Sequence, residues 1–143
     1  MSVGFSGKAL VQKLGIRPGD VFAFVDAPTG YDRILGKLPE GARLGDPSSK
    51  LNFVQVFAKE RKALEESLPY LEKRLDQNGM IWISWPKRTS KIITDLTDRV
   101  VREIGLRHGL VDVKECAMDD SWSGLKFVRR VKNRRLPTTR TSP

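Results

Sequence analysis

The sequence has 143 residues, of which 39% are hydrophobic and 30% are charged, and its formal net charge is +9. This length suits one domain, because two domains of about 70 residues each would have marginal cores. The single cysteine, Cys116, excludes an internal disulfide, and no apolar run approaches the roughly 18 residues of a membrane span. With no secretory signal at its start, the chain is expected to be cytoplasmic and not to bind a membrane.

The positive charge is concentrated at the C-terminus. Residues 129 to 143 supply +6 of the net charge and contain no carboxylate side chain; the basic residues are Arg129, Arg130, Lys132, Arg134, Arg135 and Arg140. We expect a folded domain over residues 1–131 and a disordered basic tail over 132–143. Such a tail attracts nucleic acid through counterion release, although charged termini are commonly solvated and bind nothing.

In chain order, the first half predicts short helices alternating with strands. Helical spacing from residue 5 to 16 stops at Gly15 and is followed by an apolar β-forming run at 21–25. A loop at 26–30 precedes a short helix over 31–38 and at best a short strand at 42–44.

The second half predicts a βαβ unit and a hairpin. A strand at 51–57 leads into the leucine-spaced helix Leu64, Leu68, Leu71 and Leu75, which Asn78 and Gly79 should end before a buried strand at 80–85. Thr94 or Asp95 is the expected N-cap of the next helix, which should run to about residue 108. Two antiparallel strands, 110–118 and 124–131, should close the sheet at its edge.

This order predicts an α/β fold, a small three-layer Rossmann-like sheet that is mostly parallel and has a C-terminal antiparallel hairpin. Five stretches resemble a bacterial family of uncharacterised proteins of about this length, a domain of unknown function. They are 13–19, 38–41, 79–87, 94–97 and 122–128, and the match covers roughly residues 4 to 131. The resemblance implies relatives without implying a reaction.

A looser resemblance is to the class I methyltransferases, which bind S-adenosylmethionine at the carboxyl ends of parallel strands. It rests on residues 16–21, residues 75–82 and the terminal hairpin. In a dinucleotide-binding turn, glycines follow the first strand and an acid about 20 residues on holds the ribose. Here that turn contains Pro28 and a single glycine, Gly30, while Asp46 lies at the distance of the ribose acid. We expect this fold with its cofactor motif lost or remodelled.

The segment from Ser84 to Lys91 is the strongest site candidate in the sequence, because it leaves a central strand at its carboxyl end. Its cations and the following helix N-terminus could hold a phosphate or carboxylate, and Trp85 and Trp122 could face the same cleft. The predicted ligand-binding residues are Asp26, Ser84, Trp85, Lys87, Lys91, Thr94 and Trp122. The alternative interpretation is a core-edge tryptophan and a solvated loop.

Three functions remain open. The first is a non-catalytic binding or regulatory module that holds a small anionic ligand or a protein partner at this rim. The second is an atypical S-adenosylmethionine-dependent methyltransferase, although no cofactor is the default expectation. The third is a nucleic-acid-binding accessory protein that uses the basic tail. His108 and Cys116 have no motif around them, so no catalytic residue and no metal site are predicted.

Overall fold

The computed structural model describes residues 9–130, which form one six-stranded sheet in the order β2-β1-β3-β4-β6-β5. The strands are β1 (Val21–Val25), β2 (Arg43–Leu44), β3 (Leu51–Phe57), β4 (Leu75–Pro86), β5 (Leu110–Ala117) and β6 (Trp122–Arg129). The helices are α1 (Leu10–Leu14), α2 (Tyr31–Leu35), α3 (Arg61–Arg74) and α4 (Asp98–Arg107). The predicted basic tail, including Lys132, Arg134 and Arg135, lies outside the described residues.

Four of the six strands are parallel, and the C-terminal pair is antiparallel. β2, β1, β3 and β4 run in the same direction, whereas β6 is antiparallel to both β4 and β5. This arrangement confirms the predicted mostly parallel α/β sheet with its C-terminal hairpin. Each of the six predicted strands is present, including the uncertain β2, of which only two residues pair with β1.

Helices cover both faces of the sheet, which gives the three layers that the sequence predicts. On one face, α3 and α4 pack through Leu64, Leu68, Val101 and Ile104 against the inward side chains of β3, β4 and β6. On the other face, α1 and α2 cover an aromatic-rich layer through their own apolar side chains; those buried are Leu10, Val11, Leu14, Tyr31 and Leu35. The continuous apolar runs of β3 and β4 reflect this burial on two sides.

The end of α3 differs from its prediction. The helix stops at Arg74, and Leu75 already adopts an extended conformation as the first residue of β4. Two carbonyls at the helix end, those of Glu72 and Leu75, accept hydrogen bonds from the Arg129 guanidinium at 2.8 and 3.0 Å. The end of the helix is therefore bonded to a residue more than 50 positions away, and Asn78 and Gly79, which were expected to end it, lie within β4.

Gly79 is needed for a reason other than a left-handed turn. It lies where the pairing of β4 with β3 shifts, between Leu75 opposite Leu51 and Met80 opposite Phe53. A Cβ at Gly79 would come within 3.0 Å of the carbonyl oxygens of Asp76 and Leu51, so the glycine allows close backbone approach in this irregular part of the strand.

The start of α4 also differs, since its N-cap is Thr97 and neither Thr94 nor Asp95. The Thr97 hydroxyl accepts a hydrogen bond from the Val100 amide at 3.2 Å. Thr94 and Asp95 instead contact the loop that precedes α3, as described below. Within residues 9–130, none of the helices has the length and apolar character needed to cross a membrane.

Candidate functional site

A cavity of about 700 Å³ opens at the carboxyl ends of β1 and β3. The connection after β1 passes over one face of the sheet to β2, and the connection after β3 passes over the other face to β4. The strand order therefore reverses between β1 and β3, and open α/β sheets bind their ligands outside such a reversal. We call this space the switch-point cavity. Its lining includes Asp26, Phe57, Lys59, Glu60, Ala63, Ile93 and Trp122.

The β1 side of the cavity is formed by a turn without a glycine-rich sequence. Asp26 directly follows the strand with φ of 59°, a left-handed conformation that aspartate tolerates better than most residues. The Pro28 carbonyl accepts a hydrogen bond from the Tyr31 amide at 3.1 Å, and Pro28 itself has no N–H to offer. Asp26 is exposed at the rim of the cavity. Within residues 9–130 its carboxylate has no hydrogen-bond or ion-pair partner.

The β3 side is formed by Lys59 and Glu60, which lead into α3. The Lys59 carbonyl accepts hydrogen bonds from the Thr94 hydroxyl at 2.6 Å and from the Asp95 amide at 3.4 Å. The Asp95 carboxylate in turn accepts from the amide of Arg61, the first residue of α3, at 2.7 Å. Asp95 thus caps a helix that begins 34 residues earlier, while Glu60, which occupies the N-cap position, makes no side-chain cap.

The segment after β4 reaches the cavity through Ile93 alone. After a 3-10 turn at Arg88–Ser90, Lys91 adopts φ of 68°, and Ile93 projects beside the cavity with 92% of its surface exposed. Lys87 and Lys91 do not line the cavity, and Thr94 is used in the bonds to the Lys59 loop. An apolar side chain so exposed at the mouth of a cavity could cover a ligand there.

The two tryptophans that were expected in one cleft lie on opposite faces of the sheet. Trp85 is opposite Ser123 and packs into the α3 and α4 face, whereas Trp122 is opposite Pro86 on the α1 and α2 face. Trp122 lines the switch-point cavity, where its ring lies 5.3 Å from that of Phe57 in an edge-on arrangement. The Asp119 carboxylate holds the backbone at Trp122 because it accepts a hydrogen bond from the Trp122 amide at 2.9 Å.

Ser84 lies inside the sheet, and the loop expected to begin there begins only after Pro86. The Ser84 hydroxyl is fully buried and accepts a hydrogen bond from the Gln55 amide at 2.9 Å. The same Gln55 side chain accepts from the Tyr31 hydroxyl at 2.7 Å. Burial raises the pKa of Tyr31 well above its usual range, so this phenol stays neutral. Ser84 therefore belongs to a buried network and is not at a rim.

Asp46 does not lie beside the switch-point cavity. Its carboxylate accepts hydrogen bonds from Ser48 and Ser49, and these bonds hold the pKa of Asp46 below its usual value. Its carbonyl accepts from Arg74, the last residue of α3, whereas the cavity adjoins the first turn of that helix. Fourteen helical residues span about 20 Å, so Asp46 cannot hold the ribose of a nucleoside bound in the cavity.

The residues predicted for nucleic-acid binding fall into two groups. Arg129 is held by the end of α3 through the two hydrogen bonds already described, and Arg130 donates its backbone amide to the Gly109 carbonyl at 3.2 Å. The others lie beyond residue 130. Among residues 9–130, no group of three or more histidine, cysteine, aspartate or glutamate side chains is placed to hold a metal ion.

Solved structures of similar fold include several methyltransferases. No protein-family model and no curated protein matches the sequence. A precorrin-6y C5,15-methyltransferase from Geobacter metallireducens superposes with a TM-score of 0.56 at 13% identity, over 85% of this chain and 86% of that one. The chain has the class I methyltransferase fold. Its further resemblance to a family of uncharacterised bacterial proteins stays a prediction.

Two other structures agree on this fold. Magnesium protoporphyrin IX methyltransferase from Synechocystis PCC 6803, solved with bound S-adenosylmethionine, has a TM-score of 0.55 at 12% identity over 85% of this chain and 74% of its own. A ribosomal protein L11 methylase from Lactobacillus delbrueckii has a TM-score of 0.55 at 13% identity over 84% and 74%. At these identities the likeness concerns architecture.

Of the seven predicted ligand-binding residues, the switch-point cavity brings together Asp26 and Trp122. Sequence reasoning missed Phe57, Lys59, Glu60 and Ile93. A signal for the first three was present, because Phe57 ends a buried strand and Lys59 and Glu60 follow it, as the segment from Ser84 to Lys91 was expected to do at the next strand. The pair of strands at which the sheet order reverses could not be predicted from the sequence.

Proposed function

We propose that this chain is a non-catalytic binding module that takes a small ligand in the switch-point cavity. The observation that carries the proposal is the position of a cavity of about 700 Å³ at the strand-order reversal, with Asp26 and Trp122 on its wall. Cavities that hold small molecules commonly measure about 300 to 1,000 Å³ and combine apolar walls with a few polar groups.

The lining favours a ligand with an apolar or aromatic body and polar groups at one end. Phe57, Leu64 and Trp122 supply apolar and aromatic surface, and Ile93 can add to it from the mouth. The charged lining residues within 9–130 are two carboxylates, Asp26 and Glu60, and one ammonium, Lys59. This balance supports a neutral or zwitterionic ligand in place of the anion that Lys87 and Lys91 suggested.

Binding without methyl transfer is favoured by two features of the chain. The turn after β1 has a proline where a cofactor-binding turn presents backbone N–H groups, and the only acid at the ribose spacing, Asp46, lies at the opposite end of α3. S-adenosylhomocysteine is a suitable first probe because a solved structure of similar fold holds it.

The first test is ligand-dependent thermal unfolding together with backbone amide NMR. The purified chain is mixed with S-adenosylhomocysteine, adenosine, L-tryptophan and a library of aromatic fragments. A ligand at 100 times its dissociation constant should stabilise the fold by about 2.7 kcal/mol, which is readily seen as a rise in Tm. Amide shifts should centre on residues 26, 57–60, 93 and 122.

A matched pair of variants separates the switch-point cavity from other surfaces. Ala63→Leu places a larger side chain in the cavity from an exposed position of α3, and Lys62→Leu adds a similar side chain one residue away, outside the lining. We expect the first to weaken binding at least tenfold and the second to leave it unchanged. Amide shifts that centre elsewhere, or equal binding by both variants, would overturn the proposal; saturable S-adenosylhomocysteine binding with measurable methyl transfer would favour the methyltransferase instead.

A further inference from the structure

A group of cations lies around the end of α1, on the face of the sheet that α1 and α2 cover. Lys114 of β5 and Lys126 of β6 are directly opposite each other in the antiparallel pair. The Lys114 ammonium donates a hydrogen bond to the Lys13 carbonyl at 2.8 Å, at the end of α1. A Cβ placed on Gly15 would be 3.4 Å from the Lys126 Nζ, and Arg17 follows two residues later. We call Arg17, Lys114 and Lys126 the basic cluster.

Carboxylates of the same hairpin point to the other face of the sheet. Asp112 forms an ion pair with Arg102 of α4 at 3.1 Å, and Glu115 lies opposite Leu125, whose side chain belongs to the α3 and α4 core. Paired residues on neighbouring strands share a face, so Glu115 points away from the two lysines. The hairpin therefore separates its charges, with acids toward α4 and lysines toward α1.

The lysines of the cluster are close together without compensating carboxylates. Neither Lys114 nor Lys126 forms an ion pair within residues 9–130, and the one carboxylate bonded to the cluster is Asp20, 3.7 Å from Arg17. Partial burial, with Lys114 and Arg17 nearby, lowers the pKa of Lys126. Like charges directly opposite on a sheet destabilise it, so an anion bound between them would relieve a cost that the fold now carries.

We propose that Arg17, Lys114 and Lys126 form a binding site for the phosphodiester backbone of a nucleic acid, because register and helix placement gather them on one face without neutralising carboxylates. This site is separate from the switch-point cavity and does not depend on it. Two strand-borne lysines hold phosphates as point charges, which gives attachment without base recognition.

A nucleic acid is favoured over a lipid surface by the surroundings of the cluster. A protein that lies on a membrane needs apolar side chains that enter the bilayer next to its cations. The strand residues beside the cluster on its own face, Cys116 and Val128, are only partly exposed and pack against the core. The sequence after β6 is also rich in arginine and lysine, a composition that favours polyanions.

The test measures binding of the full chain to a fluorescently labelled 20-nucleotide single-stranded RNA and to a 20-base-pair DNA duplex over a range of salt concentrations. The cluster variant is Lys114→Gln with Lys126→Gln. Its control, Lys37→Gln with Lys62→Gln, removes the same charge from exposed positions elsewhere. A third variant, Arg134→Gln with Arg135→Gln, measures the contribution of the basic tail. Thermal unfolding confirms that each variant is folded.

Loss of two phosphate contacts should lower the slope of log K against log salt by about 1.4 for the single strand and about 1.8 for the duplex. At 100 mM salt this corresponds to roughly 25-fold weaker binding to the single strand, and the charge-matched control should lose far less. Comparing RNA with DNA identifies which source of phosphates is held better. Equal losses in the cluster variant and the control would overturn the proposal. So would binding lost only in the tail variant, or binding to vesicles containing phosphatidylserine but to neither nucleic acid.

Discussion

At the scale of single residues, Gln55 is the centre of a buried hydrogen-bond network. It stands at the centre of the apolar run of β3 and is fully buried, and its amide connects the Tyr31 hydroxyl to the Ser84 hydroxyl across two strands. It also donates to the Met118 sulfur at 3.1 Å. Each of these buried polar atoms is bonded to the Gln55 side chain, so a change at Gln55 affects the others as well.

We therefore predict that Gln55→Leu lowers the free energy of unfolding by about 2 to 4 kcal/mol, measured by urea denaturation. The cost arises because the Ser84 hydroxyl loses its hydrogen-bond partner while it stays buried and the Tyr31 hydroxyl keeps only the Met118 sulfur at 3.7 Å, at about 1 to 3 kcal/mol for each group. Adding Tyr31→Phe to this variant should recover part of the loss, since it removes one stranded hydroxyl. This explanation would be contradicted if the double variant lost more free energy of unfolding than the two single variants lose together.

At the scale of elements, the structure depends on helix ends that are capped by distant residues. Asp95 caps α3 from the connection before α4, and Arg129 of β6 binds the last carbonyls of the same helix. His108, the C-cap residue of α4, lies 2.8 Å from Glu72 of α3 through Nδ1. Both ends of α3 are thus tied to later parts of the chain.

Asp95→Ala should destabilise the protein by about 0.5 to 2 kcal/mol, the usual range for loss of an N-cap. Thr97→Ala removes the local cap of α4 and serves as the comparison. Only Asp95→Ala should also increase amide hydrogen exchange at residues 59–62, because the Asp95 carboxylate bonds the Arg61 amide at the start of α3. Unchanged exchange there would show that the Asp95 carboxylate does not hold the start of α3.

The sequence predicted elements better than the ways in which they meet. Strands β1 and β3 have the predicted bounds because apolar β-forming runs between turn residues are local signals. The end of α3 at Arg74 and the use of Thr94 and Asp95 at the start of α3 involve partners from 34 to more than 50 residues away, whereas the Thr97 cap is local and was one of several N-cap residue types in that stretch. No local pattern specifies such partners, and the strand order that determines where the switch-point cavity opens is not a local property either.

At the scale of the whole molecule, the chain carries a net charge of +9, so its positive groups repel one another. The loss of protons from these groups at alkaline pH therefore changes the free energy of unfolding. Lys126 contributes directly, because burial and its basic neighbours lower its pKa below the ordinary 10.5. Between the lowered pKa and 10.5 the unfolded chain binds this proton more strongly than the folded chain does. Raising the pH through that interval therefore stabilises the fold.

We predict that the wild-type chain gains stability relative to Lys126→Gln as the pH is raised toward 10.5, the ordinary pKa of a lysine, measured by urea unfolding at each pH. The difference between the two proteins isolates Lys126 from other groups, including Tyr31, that titrate in alkali. Parallel pH profiles for the two proteins would contradict the assigned effect of burial and of Lys114 and Arg17.

The two edges of the sheet also bear on how the protein behaves at high concentration. β2 offers a neighbouring molecule only two residues, too short a strand to template intermolecular pairing. β5 is longer, but a pairing irregularity between Asp112 and Lys114 interrupts it, and charged side chains follow in the exposed Lys114 and Glu115. Lys114 would then protect an open strand from aggregation as well as contact phosphates. Glutamine is therefore a better test substitution at Lys114 than an apolar residue, because it removes the charge and keeps the edge strand polar.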